Sequence, residues 1–156
     1  MELHSSFARK MENLPKRLKE LLDMPIRRKG ETWPSDKVSG VYLFSEAGMP
    51  LYVGRSRNIK GRFRAHTTLS HNSGSFAFRI ARETTGMTQA TYRPDGSRAN
   101  LQDDPRFRAA FLDAIERVKA MDFQFVVESD PVSQCLLEVY CSLALGTQKY
   151  NSFDTH

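Results

Sequence analysis

A chain of 156 residues with 40% hydrophobic and 26% charged side chains has the size and balance of one globular domain with a real core. Its formal charge of +5 favours an anionic partner, nucleic acid or an anionic membrane surface, without choosing between them. No apolar run approaches bilayer-spanning length and the N-terminus lacks a signal-peptide core, so the expectation is a cytoplasmic chain with no membrane partner.

Residues 5–24 read as a helix. Asn13 is a candidate cap with Pro15 near the first turn, and Leu14, Leu18, Leu21 and Leu22 form an apolar stripe. A packing helix is favoured there over a DNA-binding arm. Residues 25–39 are loop by composition. Arg27, Arg28 and Lys29 in it are a solvated charge run or a phosphate contact, and Trp33 is a lid on the core or a base-stacking platform, the lid being the commoner case.

Two short apolar-aromatic runs follow, at 40–45 and 50–54. If Glu46 to Gly48 form a three-residue loop, Gly48 takes the left-handed position, Ser45 pairs with Met49, and Tyr42 stands directly opposite Tyr52 with both phenols on one face. A two-residue loop shifts the register and puts the rings on opposite faces. Next, Asn58 is placed to cap a helix with Ile59 and Phe63 inward, and Arg62 and His66, four residues apart, share a neighbouring face. From Ala47 to Arg82 there is no acidic residue, whereas Arg55, Arg57, Lys60, Arg62, Arg64, Arg79 and Arg82 are basic, a one-sign field suited to a polyanion.

Residues 67–75 form a polar loop containing His71, which is left out of the candidate site. A helix is predicted over 76–85 with Phe76, Ala77, Ile80 and Ala81 inward. Residues 86–102 contain the turn signal from Tyr92 to Gly96 and no clear periodicity. Asp104-Pro105 opens a helix to about Met121 with Phe107, Phe111, Ile115 and Val118 on its core side, and Phe123 to Val127 read as a third strand.

Asp130-Pro131 opens the last helix, which ends at Gly146, and Lys149-Tyr150-Asn151 reads as an extended tail. Between Asp130 and Lys149 the only charged residue is Glu138, among Leu136, Leu137, Val139, Tyr140 and Leu143. Such a carboxylate, if buried, needs a partner, and a hard divalent cation is a candidate; equally, Gln134, Glu138 and Ser142 share one face that is simply wet. The helix alone leaves the two readings level. Cys135 and Cys141 sit on the same helix with diverging side chains and read as core thiols of a reducing cytoplasm, not a disulfide or a zinc site.

Gly-Val-Tyr at 40–42, Tyr-Val-Gly at 52–54, Arg62 ten residues past the second Tyr and His66 four further on resemble the GIY-YIG nuclease superfamily. The later Glu138 and Asn151 match the family's carboxylate and Asn in order. The resemblance implies an α+β fold: a small three-stranded antiparallel β-sheet (the GIY-YIG hairpin plus one strand) flanked by helices. Residues 1–37 would be an N-terminal helical extension and loop, and 38–156 the nuclease domain with a helical insertion at about 67–121. It also implies hydrolysis of DNA phosphodiesters, duplex or branched, at one Mg²⁺ or Mn²⁺ held by Glu138. Arg62 would neutralise the phosphate, Tyr42 would deprotonate or orient the attacking water, Tyr52 would bond the water or the phosphate, and Asn151 would orient the metal-side groups. His66 as the proton acceptor is a variant, since an ordinary imidazole suits neutral pH. Arg55, Arg57, Lys60 and Arg64 would contact nucleic acid. One site makes one nick, so cutting both strands takes a homodimer, a transient dimer on substrate, or sequential binding. The alternatives are a non-catalytic nucleic-acid-binding module that retains the fold, and a protein-interaction domain with a basic surface.

Overall fold

The computed structural model describes residues 1–33, 36–69, 74–87, 101 and 103–153. His71 and the predicted turn from Tyr92 to Gly96 lie outside the described residues. In chain order the elements are α1 (Ser5–Glu12), α2 (Leu14–Asp23), β1 (Gly40–Glu46), β2 (Met49–Ser56), α3 (Ile59–His66), α4 (Ser75–Thr85), α5 (Pro105–Lys119), β3 (Asp122–Val127) and α6 (Pro131–Leu145). The fold is α+β, with a three-stranded antiparallel sheet in the order β2-β1-β3. Among the described residues no helix is long and apolar enough to cross a membrane.

The chain divides into two compact units, residues 1–60 with 122–156, and residues 61–121. α1 and α2 fall in the unit that contains the sheet, and the second unit runs from Gly61 to Met121.

In the first unit, strand alternation sorts the side chains onto two faces. Val41, Leu43, Val53 and Val126 face one way and form a core with Leu14, Leu21, Leu137 and Cys141 from α2 and α6. Each such aliphatic side chain contributes about 2 kcal/mol by leaving water. Gln124, on the same face, anchors the end of α2 by donating to the carbonyls of Leu22 and Met24 at 2.9 and 2.8 Å. The expected single helix over 5–24 is two helices. Pro15 fits the first turn of α2 but lacks the N–H that a continuous helix needs. Asn13 does not cap through its side chain; its backbone is itself helical. Met24, extended at ψ 148°, stops α2 because Pro25 follows it.

Trp33 is the lid that the sequence favoured. It stacks on Phe125 at 5.7 Å and 13°, with the Arg27 guanidinium 5.4 Å from its ring. Arg27 also exchanges two backbone hydrogen bonds with Phe123, which extends the sheet locally beyond β3.

In the second unit α4 packs against α5. The predicted inward residues Phe76, Ala77, Ile80, Ala81, Phe107, Phe111, Ile115 and Val118 are all buried, with Phe78 at 4.9 Å from Phe107. Asp104 caps α5 by accepting from the N–H groups of Arg106 and Phe107. Arg106 donates in turn to the Thr85 carbonyl at the end of α4.

On α6, Asp130 is the N-cap, accepting from Ser133 N–H, and Gly146 is the left-handed C-cap. The Lys10 ammonium and the Ser133 groups hold the Asp130 carboxyl well below the usual carboxylate range. Only one of the two cysteines is a core thiol. Cys141 is buried, and burial pushes its thiol up to about 12, whereas Cys135 is exposed. The segment after α6 turns back instead of extending: the N–H groups of Tyr150 and Asn151 both donate to the Thr147 carbonyl.

Candidate functional site

The β1–β2 hairpin differs from the predicted register in a way that preserves its consequence. Glu46 pairs with Met49, so the turn is the two residues Ala47 and Gly48, both at positive φ, 50° and 77°. That loop alone would put the two phenols on opposite faces. A register shift follows immediately: Ser45 pairs with Pro50 but Phe44 pairs with Tyr52, leaving Leu51 as the extra residue of a bulge. The bulge restores the parity. Tyr42 therefore faces Gly54 rather than Tyr52, and the two tyrosines meet diagonally on one face with ring centroids 6.3 Å apart.

The glycines of the two tripeptides have separate steric reasons. A Cβ on Gly40 would stand 2.0 Å from the Val126 carbonyl oxygen, so β3 can lie this close only beside glycine. A Cβ on Gly54 would stand 2.3 Å from Cζ and Oη of Tyr42, because the phenol lies flat over that residue. The ring is 1% exposed and Tyr52 is 8% exposed. Tyr42 stacks on Phe123 at 5.4 Å and meets Phe44 edge-on at 6.0 Å, so this face of the sheet is a packed aromatic layer.

Glu138 belongs to the other face. It is half-buried on α6, and its Oε2 accepts from Arg55 Nε at 3.0 Å. Arg55 pairs with Val41 in the register, which puts it on the aliphatic side with α6. The expectation that both rings and the carboxylate line one hollow is corrected accordingly. A cleft of about 630 Å³ is lined by Glu138, Arg55, Arg57, Ser39, Ser129 and Gln134, and neither tyrosine is among its lining residues. The two sets approach each other at β2, where Gly54, under the Tyr42 hydroxyl, is the immediate neighbour of Arg55.

Asn151 has a definite local task. Its Oδ1 accepts from Val53 N–H at 2.9 Å, and its Nδ2 donates to the Val53 carbonyl at 2.6 Å. Thr147 Oγ1 donates to the same Oδ1 at 2.8 Å. Since β2 is an edge strand, Asn151 supplies the partner that a further strand would give Val53. Its amide positions the edge of β2 in this structure. Sequence reasoning missed Thr147, Ser39 and Ser129; single hydroxyls in turns carry no periodic signal.

Arg62 and His66 lie in the second unit. Arg62 is half-buried and donates Nη2 to Ser75 Oγ at 3.2 Å. His66 is fully buried, and its imidazole is pushed down to about 3, first by burial and then by the positive charges of Arg62 and Arg79. A downward shift of this size weakens the imidazole as a base at neutral pH, which disfavours the variant in which His66 takes the proton. Of the other basic residues, Arg57 and Arg64 are exposed and Lys60 is half-buried.

Among the described residues no group of three or more His, Cys, Asp or Glu side chains could form a metal cage. The donors around Glu138 are nonetheless hard oxygens: its carboxylate, the Gln134 amide and serine hydroxyls. That set fits Mg²⁺ or Mn²⁺, which accept a single protein carboxylate and complete their shells with water and substrate phosphate. No protein-family model matches this chain, and no curated protein and no solved structure matches it significantly.

Proposed function

We propose that the protein is a metal-dependent DNA endonuclease with Glu138 as its metal-binding carboxylate. The observation that carries this reading is the cleft beside α6, where one carboxylate, two guanidiniums and several hydroxyls line about 630 Å³. That volume suits a nucleotide-sized ligand, and the lining suits a phosphodiester with a hard cation. The resemblance of residues 40–66 and 138–151 to the GIY-YIG superfamily supports the same chemistry.

A divalent ion on Glu138 would supply Lewis-acid polarisation of the phosphate and stabilise the leaving 3′ oxygen. The remaining work falls to the chain. Arg55, now on Glu138, is a half-exposed guanidinium that would turn to a phosphate oxygen when the carboxylate gains another cation. Arg62 is the residue to which the resemblance assigns phosphate neutralisation. The resemblance gives Tyr42 the task of orienting the attacking water; its hydroxyl is buried over Gly54, on the sheet face opposite Glu138, so that task needs the aromatic layer to open. Tyr52 holds the Tyr42 ring in place, and Asn151 positions the β2 edge.

A panel of duplex, nicked, flapped, branched and single-stranded DNA tests this reading. The expected result is cleavage with Mg²⁺ or Mn²⁺, leaving 5′-phosphate and 3′-hydroxyl ends, and none with EDTA. Intact substrates across the panel with both metals would overturn it.

One observation favours a second reading. The Arg55–Glu138 pair at 3.0 Å satisfies the carboxylate without a metal, as a non-catalytic nucleic-acid-binding module requires. Such a module binds DNA with strong salt dependence, unchanged by EDTA and with no product formed.

A further inference from the structure

We infer that the cleft beside α6 takes two neighbouring phosphates of one strand, the reacting one at Glu138 and Arg55 and the adjacent one at Arg57 between Ser39 and Ser129. This inference rests on the endonuclease reading and names the part of the substrate that the reading leaves open.

The lining divides into two parts. Arg55 and Glu138 pair at 3.0 Å, and their charges cancel. Arg57 lines the same cleft, yet its guanidinium makes no hydrogen bond or ion pair among the described residues. The hydroxyls of Ser39 and Ser129 make no hydrogen bond there either. The surplus positive charge of the cleft therefore lies at Arg57, beside free hydroxyl donors, which is the chemistry of an anion subsite.

The chain brings two guanidiniums to one cleft: Arg55 is the last residue but one of β2, Arg57 is the first beyond Ser56, and both line it. The volume agrees as well: about 630 Å³ is the space of some twenty waters at about 30 Å³ each. One phosphate with a hydrated ion leaves much of that space unfilled. A second phosphate would use Arg57 and would fix the strand's direction across Glu138.

Neutral-linkage interference tests the inference. A duplex with a mapped nick position is prepared with a single methylphosphonate in place of the phosphate on either side of the cut. With wild-type protein, one of the two replacements should lower kcat/KM about tenfold, mainly through KM, as expected for the loss of one charge-assisted contact. In Arg57→Ala that sensitivity should shrink to about twofold or less, and Arg57→Lys should restore part of it. Arg57 is exposed, so thermal melting should confirm an intact fold in each variant. If Arg57→Ala remains as sensitive as wild type, or neither replacement affects the wild type, the second subsite is wrong while nicking itself stands. If the wild type does not nick at all, the endonuclease reading falls and takes this subsite with it.

Discussion

On one face of the sheet Val41, Leu43, Val53 and Val126 pack under α2 and α6, and at the margin of that packing Arg55 meets Glu138 in a polar cleft. On the other face Tyr42, Phe44, Phe123 and Phe125 close into an aromatic layer with Tyr52 and Trp33, in which the phenols are buried. The boundary between the two is a single peptide bond of β2: Gly54 lies under the Tyr42 ring, and Arg55 reaches the carboxylate. A strand's two-residue alternation thus lets adjacent residues serve a rigid layer on one side and a charged cleft on the other. Arg55 and Glu138 in the cleft are partly exposed, whereas the tyrosine and phenylalanine rings of the aromatic layer are buried.

Substitutions at the glycines and at Asn151 separate the two faces. Gly40→Ala should be the most damaging, because its Cβ meets backbone, the Val126 carbonyl oxygen at 2.0 Å, and neither face survives if β1 and β3 part. A loss of about 3 kcal/mol in urea denaturation is expected, at the upper end for overpacking. Asn151→Ala leaves the N–H and C=O of Val53 without their partner on the buried edge of β2, and about 2 kcal/mol should be lost. Hydrogen exchange should show the Val53 amide losing protection while those of β3 keep theirs.

His66, in the inserted unit, provides a baseline that titrates. Its folded-state pKa of about 3 lies below the ordinary 6.5, so the unfolded chain takes up a proton that the folded chain refuses. Stability from this group is complete above pH 6.5 and falls as the pH drops toward 3, with a limiting slope of about 1.4 kcal/mol per unit. Denaturation at pH 7 and pH 5 should show wild type losing about 2 kcal/mol more than His66→Gln. Equal losses would place the imidazole in a far wetter setting.

The smallest expected effect on stability sharpens the contrast most. In Gly54→Ala the new Cβ meets a side chain, the Tyr42 ring at 2.3 Å, which can shift. About 1 kcal/mol should be lost, with an altered near-ultraviolet circular dichroism from the aromatic layer. Nicking, if Tyr42 orients the water, should fall by more than that loss of stability explains.

Much of the framework was legible in the sequence because it rests on periodicity and punctuation. The inward residues of α4 and α5, the Asp104 and Asp130 caps and the Gly146 stop all follow local rules that the tertiary structure leaves intact. The hairpin was legible only in outcome. Its shorter turn reverses the facing of Tyr52, and the bulge at Leu51 reverses it again, so the phenols converge through two shifts that no residue pattern announces. The candidate site was legible as a set of residue types and not as an arrangement. Nothing in the run Tyr52 to Arg55 says which side chain shares a face with α6 until the register is known. Nor does a lone Asn reveal that it will complete a strand edge.

Nicking of supercoiled plasmid across a Mg²⁺ titration, with wild type and Glu138→Ala side by side, addresses the cleft most directly. The wild type should convert plasmid to the open circular form in proportion to Mg²⁺ and not in EDTA. Glu138→Ala should be slower by about 10²-fold or more, the rate equivalent of about 3 kcal/mol of lost Lewis-acid stabilisation. Equal rates for the two proteins, or plasmid left supercoiled by both, would contradict a metal-dependent nuclease built on Glu138.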